Sequence, residues 1–178
     1  MTISFTVAIP TYNGASRLSE LLDNLLAQIT PDNFVWQVIV VDNNSTDNTA
    51  DVIKDYQSRW QGERSLVYAF EDQQGAAFAR QKAMQLAQSE LVGFLDDDVV
   101  PSSDWVAEAY QFGLDNPRAG AYGGKISGCF EIAPPEGFER IQSFLALRNR
   151  GSSPHLYNPK FLSMPPSAAW VVRRHAWL

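Results

Sequence analysis

The chain has 178 residues, 45% hydrophobic and 19% charged, with 20 acidic against 14 basic side chains and a net charge of −6. That length and balance fit one soluble globular domain with a sizeable core, while the acidic excess argues against nucleic acid as a partner, since Arg148, Arg150, Arg173 and Arg174 form two pairs rather than a basic stripe. Cys129 is the sole cysteine, so no disulfide framework exists and it is read as a small buried hydrophobe in a reducing compartment; nothing at Met1 resembles a signal peptide, and no apolar run approaches the roughly 20 residues of a membrane span.

Phe5-Thr6-Val7-Ala8-Ile9 predicts a short buried strand, stopped by Pro10. Leu18, Leu21, Leu22, Leu25, Leu26 and Ile29 then recur with helical spacing, which predicts an amphipathic helix over 16–28. Val38-Ile39-Val40-Val41 is a second strand, β-branched and apolar on both faces. Asp47 or Thr46 is expected to cap a helix carrying Ala50, Val52, Ile53 and Tyr56. A third strand is expected over 65–70, a helix rich in Ala, Met and Leu over 76–87, and a fourth strand over 91–95. Ser102 and Ser103 read as caps of a helix over 105–114, and a fifth strand is expected over 121–127. Regularity then fades. Residues 131–166 hold Pro134, Pro135, Pro154, Pro159, Pro165 and Pro166 around an apolar helical patch at 141–147, the pattern of an irregular, substrate-facing region. Val171-Val172 reads as a last strand, and Arg173-Arg174-His175-Ala176-Trp177-Leu178 as the opening of a helix.

Strand and helix alternate four times, with no internal repeat and no low-complexity segment. Continuously apolar strands in that setting belong to a mostly parallel α/β sheet with helices on both faces. Right-handed crossovers make it Rossmann-like. The carboxyl ends of parallel strands share one edge, and ligands bind in the crevice there. Pro10-Thr11-Tyr12-Asn13-Gly14, Asp42 and the triplet Asp96-Asp97-Asp98 should therefore meet in one cleft.

The stretch "VGFLDDDVVP" (92–101) sets three carboxylates between two apolar segments. One reading is a solvated turn or a set of helix caps. Against it, the next helix has its own serines, and Val99-Val100-Pro101 keeps the loop from running into solvent. Three carboxylates in a crevice raise one another's pKa. A divalent cation removes that penalty, and Mg²⁺ or Mn²⁺ suits oxygen ligands, using one or two carboxylates plus substrate phosphates. That combination points to a diphosphate-bearing substrate. Asp42 reads equally as an Asx turn in "DNNSTD", and Tyr12 as packing at a strand end. His155 and His175 are the only histidines and read as structural or solvated rather than as ligands. Trp170 and Trp177 fit an acceptor-side platform or the core, with at least one assigned to the core.

"VAIPTYNG" (7–14), "VIVVDNNSTDNT" (38–49), "QQGAAFARQKAM" (73–84) and "FLDDDVVP" (94–101) stand in the order and spacing of the family 2 glycosyltransferases. The chain resembles that family over about residues 4–128. The resemblance implies a GT-A fold and an inverting displacement. A sugar would pass from a nucleoside diphosphate donor, UDP-linked, to a carbohydrate or lipid-linked acceptor in polysaccharide or glycoconjugate synthesis. It implies a nucleotide site at Pro10, Thr11, Tyr12 and Asn13, with Tyr12 against the base and Asp42 accepting from a base N–H. Asp96 and Asp97 would hold the ribose hydroxyls or order the loop. Gly75 and Arg80 would approach the donor, and Asp98, with Asp96, would hold the metal. Gln81 stands where the family often has asparagine.

On this reading 1–128 is the nucleotide-sugar-binding half of one catalytic domain, and 129–178 is an incomplete acceptor-side region. The family's general base lies in an acidic pair downstream of a segment resembling "SAAWVVRRHAWL" (167–178), so it is expected beyond Leu178, in a truncated domain. Glu131, Glu136 and Glu139 do not match it by position. A cytoplasmic location is expected, or the cytoplasmic face of a membrane reached through segments outside this chain. Two alternatives stand beside this reading. One is a fragment that binds a nucleotide sugar without transferring it. The other is a haloacid-dehalogenase-like phosphatase, whose D-x-D-x-V/T motif fits "FLDDDVV" with Asp96 as nucleophile, although that motif normally follows the first strand.

Overall fold

The computed structural model describes residues 3–60, 64–130, 132–141, 144, 147, 153–157, 160 and 168–177. Four strand–helix steps and a fifth strand come first: β1 (Phe5–Thr11), α1 (Ala15–Leu26), β2 (Trp36–Asp42), α2 (Thr49–Gln57), β3 (Arg64–Phe70), α3 (Ala76–Leu86), β4 (Leu91–Leu95), α4 (Trp105–Asp115) and β5 (Ala121–Gly123). A 3-10 turn at Phe138–Arg140, β6 (Ala169–Arg173) and the single turn α5 (Arg174–Trp177) complete the described elements. The six strands form one sheet in the order β3-β2-β1-β4-β6-β5. The first four run parallel, while β6 is antiparallel to β4 and to β5.

The sheet is covered on both faces because successive side chains of an extended strand point to opposite sides. Phe5, Val7, Ile9, Trp36, Val38 and Val40 face one way and meet Leu18, Leu21, Leu22 and Leu25 of α1, Ile53 and Tyr56 of α2, and Val106 of α4. Ala8, Ile39, Val41, Val92 and Phe94 face the other way and meet Ala79, Ala83 and Met84 of α3. Each large apolar side chain so buried contributes roughly 1.5–3 kcal/mol, which fixes the register of β1, β2 and β4. Gly93 belongs to this packing. A Cβ there would lie 2.7 Å from the Trp105 ring and 2.9 Å from the Phe5 ring.

The boundaries differ from expectation in ways that have causes. Helix α1 ends at Leu26 rather than Gln28. Gln28 leaves the helix, is 2% exposed, donates to the Ser102 carbonyl at 2.7 Å and accepts the Val106 N–H at 2.9 Å. It therefore satisfies an orphan N–H in the first turn of α4. Ser102 and Ser103 are not caps, and the residue before the helix is Asp104, with no side-chain capping bond. Helix α2 starts after Asn48, and Thr46 does not cap it. The Asp47 carboxylate accepts the Thr49 N–H at 3.0 Å, and its bond from the Thr49 hydroxyl lowers its pKa. Strand β5 stops at Gly123 instead of continuing to residue 127, because its ladder ends where Gly123 meets Trp170 of the short β6. Cys129 is exposed rather than buried, since the chain has already left the sheet. Val100 is exposed too, while Val99 packs on the core and Pro101 is buried.

The expected helical patch at 141–147 falls mostly outside the described residues, as do Glu131, Arg148, Arg150, Pro159, Pro165, Pro166, Ser167 and Leu178. Among the described residues, no helix is long and apolar enough to cross a membrane.

Candidate nucleotide and metal site

Parallel register brings the carboxyl ends of β1, β2 and β4 to one edge. Thr11 pairs with Asp42, and Ala8 with Phe94. The loops beyond them close around a cavity of about 350 Å³. Its walls include Pro10, Thr11 and Tyr12 from β1 and its loop, Ala76, Ala79 and Arg80 from α3, and Asp96, Asp97 and Asp98 from the β4 loop. Arg17 and Asn43 also line it, and neither stands out in the sequence.

The three acids have three different situations. Asp96 is half-buried and pairs with Arg80 at 3.1 Å. Burial raises its carboxyl above the ordinary aspartate value; Arg80 opposes that, and Asp98 and Asp97 add to it. Asp97 is gripped by Arg17, whose Nε and Nη2 each donate at 2.9 Å, and by the Thr11 hydroxyl at 2.6 Å. Asp98 is exposed, and among the described residues it has no ion pair. Behind the triplet, the Asp96 N–H donates to the Ala168 carbonyl just before β6.

The other expected residues, Asp42, Asn13 and Gly75, do not line this cavity. Asp42 is 3% exposed, accepts the Ser45 N–H at 2.9 Å and takes the Tyr68 hydroxyl at 3.2 Å. It makes the side-chain turn that "DNNSTD" allows. Burial, followed by the charge of Asp42, raises the pKa of Tyr68. Asn13 adopts φ 49°, and its side-chain carbonyl accepts the Thr46 N–H at 2.8 Å, which ties the β1 loop to the β2 loop. Gly75, at φ 141°, occupies a backbone region side chains avoid. Its N–H donates to the Asn43 side-chain carbonyl at 2.7 Å. The Asn43 amide nitrogen donates to the Glu71 and Gln73 carbonyls at 3.2 and 2.8 Å. Buried Asn43 is thus the pin of the loop that leads into α3.

Tyr12 is 48% exposed, so it is a free aromatic face rather than strand-end packing. His155 lies against Tyr157 and lines a separate groove of about 810 Å³ beside α4 and β5. His175 pairs with Glu90. Neither histidine lines the acid-lined cavity. Trp170 and Trp177 are half-buried against Phe94, with ring centroids 5.8 Å away. Gln81 accepts the Trp177 indole N–H at 2.8 Å, which gives the glutamine a local use.

A mostly parallel sheet clad on both faces, with strand-end loops gathered on an acidic triplet, defines a GT-A type domain. Residues 6–173 match the family model for Glycosyl transferase family 2, and the chain belongs to that family. A Bacillus subtilis (strain 168) protein, provisionally named teichuronic acid biosynthesis glycosyltransferase TuaG, is 33% identical over 119 residues, covering 67% of this chain and 45% of that protein. Validoxylamine A glucosyltransferase of Streptomyces hygroscopicus subsp. limoneus is 36% identical over 104 residues, or 57% of this chain and 22% of that one. The chain spans less than half the length of these curated relatives. Among solved structures, mannosyltransferase PcManGT from Pyrobaculum calidifontis, in complex with GDP-Man and Mn²⁺, has a TM-score of 0.70 at 25% identity, covering 98% of this chain and 46% of that one. Staphylococcus aureus TarS 1–349 has a TM-score of 0.70 at 23% identity, over 96% of this chain and 47% of that one, a likeness of fold.

Proposed function

We propose that this chain carries the donor site of an inverting glycosyltransferase that uses a divalent ion and a nucleoside diphosphate sugar, UDP-linked. Residues 1–128 would form the donor half, and 129–178 part of the acceptor side. The observation that carries the reading is the Asp98 carboxylate, which faces the cavity without an ion pair among the described residues, while its two neighbours are held by arginines. Asp98, with Asp96, offers the one or two oxygen ligands that Mg²⁺ or Mn²⁺ takes when phosphates supply others. Burial disfavours the charged form of Asp96, and a nearby cation would offset that. Such an ion would neutralise charge growing on a departing diphosphate.

Tyr12 offers an exposed ring for a nucleobase on the same cavity. Asp42, at the end of β2 beside Thr11, would accept a base N–H on oxygens it already shares with Ser45 and Tyr68. Complexes of TarS with UDP and with UDP-GlcNAc, and of PcManGT with GDP-Man and Mn²⁺, support a nucleotide-sugar donor. In the reaction, an acceptor hydroxyl oxygen would bond to the anomeric carbon as the bond to the diphosphate oxygen breaks. A carboxylate base would take the hydroxyl proton. A poly(ribitol-phosphate) beta-glucosyltransferase among the relatives supports a glycan-type acceptor.

Calorimetric titration of UDP, with and without Mn²⁺, tests the reading in the wild type and in Asp98→Ala. Mn²⁺ should raise the wild-type affinity and leave the variant little changed. Equal affinity in all four titrations overturns the metal assignment. GDP binding as tightly as UDP overturns the uracil preference.

A further inference from the structure

Asp97, the middle acid of the triplet, is held rather than offered to the cavity. Arg17 grips both of its oxygens at 2.9 Å, the two-pronged geometry that fixes orientation as well as charge. The Thr11 hydroxyl takes a second position on Oδ2 at 2.6 Å. The Asp97 side chain is 13% exposed, although the Arg17 side chain that grips it reaches solvent. The same Nη2 of Arg17 reaches the Tyr12 carbonyl at 3.4 Å. Gly14 makes the arrangement sterically possible: a Cβ there would lie 2.1 Å from the Thr11 hydroxyl oxygen and 2.7 Å from Asp97 Oδ2. Four positions on two separate stretches of chain, Thr11, Gly14, Arg17 and Asp97, therefore agree on one contact.

We propose that Arg17 is a positioning residue. Acting through Asp97 and the Tyr12 backbone, it locks the β4 loop that carries Asp98 to the β1 loop that carries Tyr12. Cation and nucleobase are then held at one fixed separation. The inference rests on the reading of this cavity as a metal and nucleoside diphosphate site. It also assigns the triplet asymmetrically. Asp98 faces the ion, and Asp97 anchors the loop. If Asp97 were itself a ligand, Arg17 would compete with the cation for the same two oxygens, and its removal would strengthen metal binding. If Arg17 were an ordinary surface charge, its loss would do little, since its side chain is 42% exposed and exposed pairs contribute little to stability. The three roles predict different results.

The experiment uses the 178-residue chain as wild type, Arg17→Met and Arg17→Lys. UDP affinity is measured by calorimetry in the absence and in the presence of saturating Mn²⁺, alongside the melting temperature. Arg17→Met should keep its Tm and its metal-free UDP affinity, and lose most of the Mn²⁺-dependent gain, roughly tenfold or more, as orienting partners of metal ligands usually do. Arg17→Lys should recover part of that gain, because it restores the charge without the fork. An undiminished or increased gain in Arg17→Met overturns the positioning role alone. A lost gain accompanied by a fall in Tm, with no recovery in Arg17→Lys, makes Arg17 a folding residue and also overturns it. A wild type with no Mn²⁺-dependent gain overturns the metal site itself, and this inference with it.

Discussion

Asn43→Ala tests how far one buried amide organises the cavity. Its side chain makes three hydrogen bonds, to the Glu71 and Gln73 carbonyls and from the Gly75 N–H. Each such bond nets about 0.5–1.5 kcal/mol. Gln73 is exposed and Glu71 partly so, and their carbonyls can turn to water, which places the loss at about 2–3 kcal/mol. In a chain of this size that corresponds to roughly 5–10 °C in Tm. Asn43→Asp is the sharper variant. It keeps an acceptor for Gly75 but sets a carboxylate oxygen where the amide nitrogen lies, 2.8 and 3.2 Å from two carbonyl oxygens. At pH 7 it should cost at least as much as alanine. The loss should shrink as the pH falls and the new carboxyl gains a proton to donate. Urea denaturation of the three proteins at pH 7 and at about pH 4.5 measures both effects. UDP affinity should fall in parallel, because Gly75 opens the helix that bears Arg80. If Asn43→Asp is as stable as the wild type at pH 7, the amide is not the pin described above.

Two further predictions concern the strand and loop that carry the acids. Gly93→Ala would push a methyl group into the Phe5 and Trp105 rings, and overpacking of this kind costs about 1–3 kcal/mol; calorimetric unfolding that matches the wild type would show that the rings move aside freely. Burial raises the Asp96 pKa, so the folded chain holds that proton more tightly than the unfolded chain does. Its contribution to stability is full below the ordinary aspartate value and is lost as pH rises through the raised one. In metal-free buffer, Asp96→Asn should therefore gain in Tm over the wild type as pH goes from about 4 to 7, and a gap that stays constant across that range refutes the assignment.

The sheet was readable because its strands are apolar on both faces and its helices are spaced for one. Thr11, Asp42 and the triplet reach one edge by register alone, which the strand–helix alternation already implied. Gln28 was not readable as a cap, because the N–H it satisfies belongs to Val106, 78 positions away. The short β5 was not readable either, because the length of a ladder is set by its partner. Arg17 carries a signal of position rather than of motif. In a parallel α/β fold every helix that follows a strand begins at the ligand edge, so a charged side chain in the first turn of α1 stands beside the β1 loop. Asn43 is overshadowed by the neighbouring charge of Asp42, although the amide lines the cavity and the buried acid does not. Charge crowding in the triplet was legible, and its main relief was not, since it comes from two arginines, Arg17 and Arg80, on different helices.

The antiparallel pairing of β6 with β4 has a consequence for synthesis. By Leu95 the ribosome has supplied β3, β2, β1 and β4, with the chain carried from β3 at one edge back across the sheet to place β4 beside β1, but one side of β4 still lacks a strand. The residues that cover it, 169–173, emerge about 75 residues later, which at ordinary elongation rates is roughly 4–15 s. During that interval Leu91 to Leu95 present an apolar strand with open backbone donors and acceptors, a template for pairing with another nascent chain. Chains ending at residue 128 should collect as oligomers that the 178-residue chain does not form.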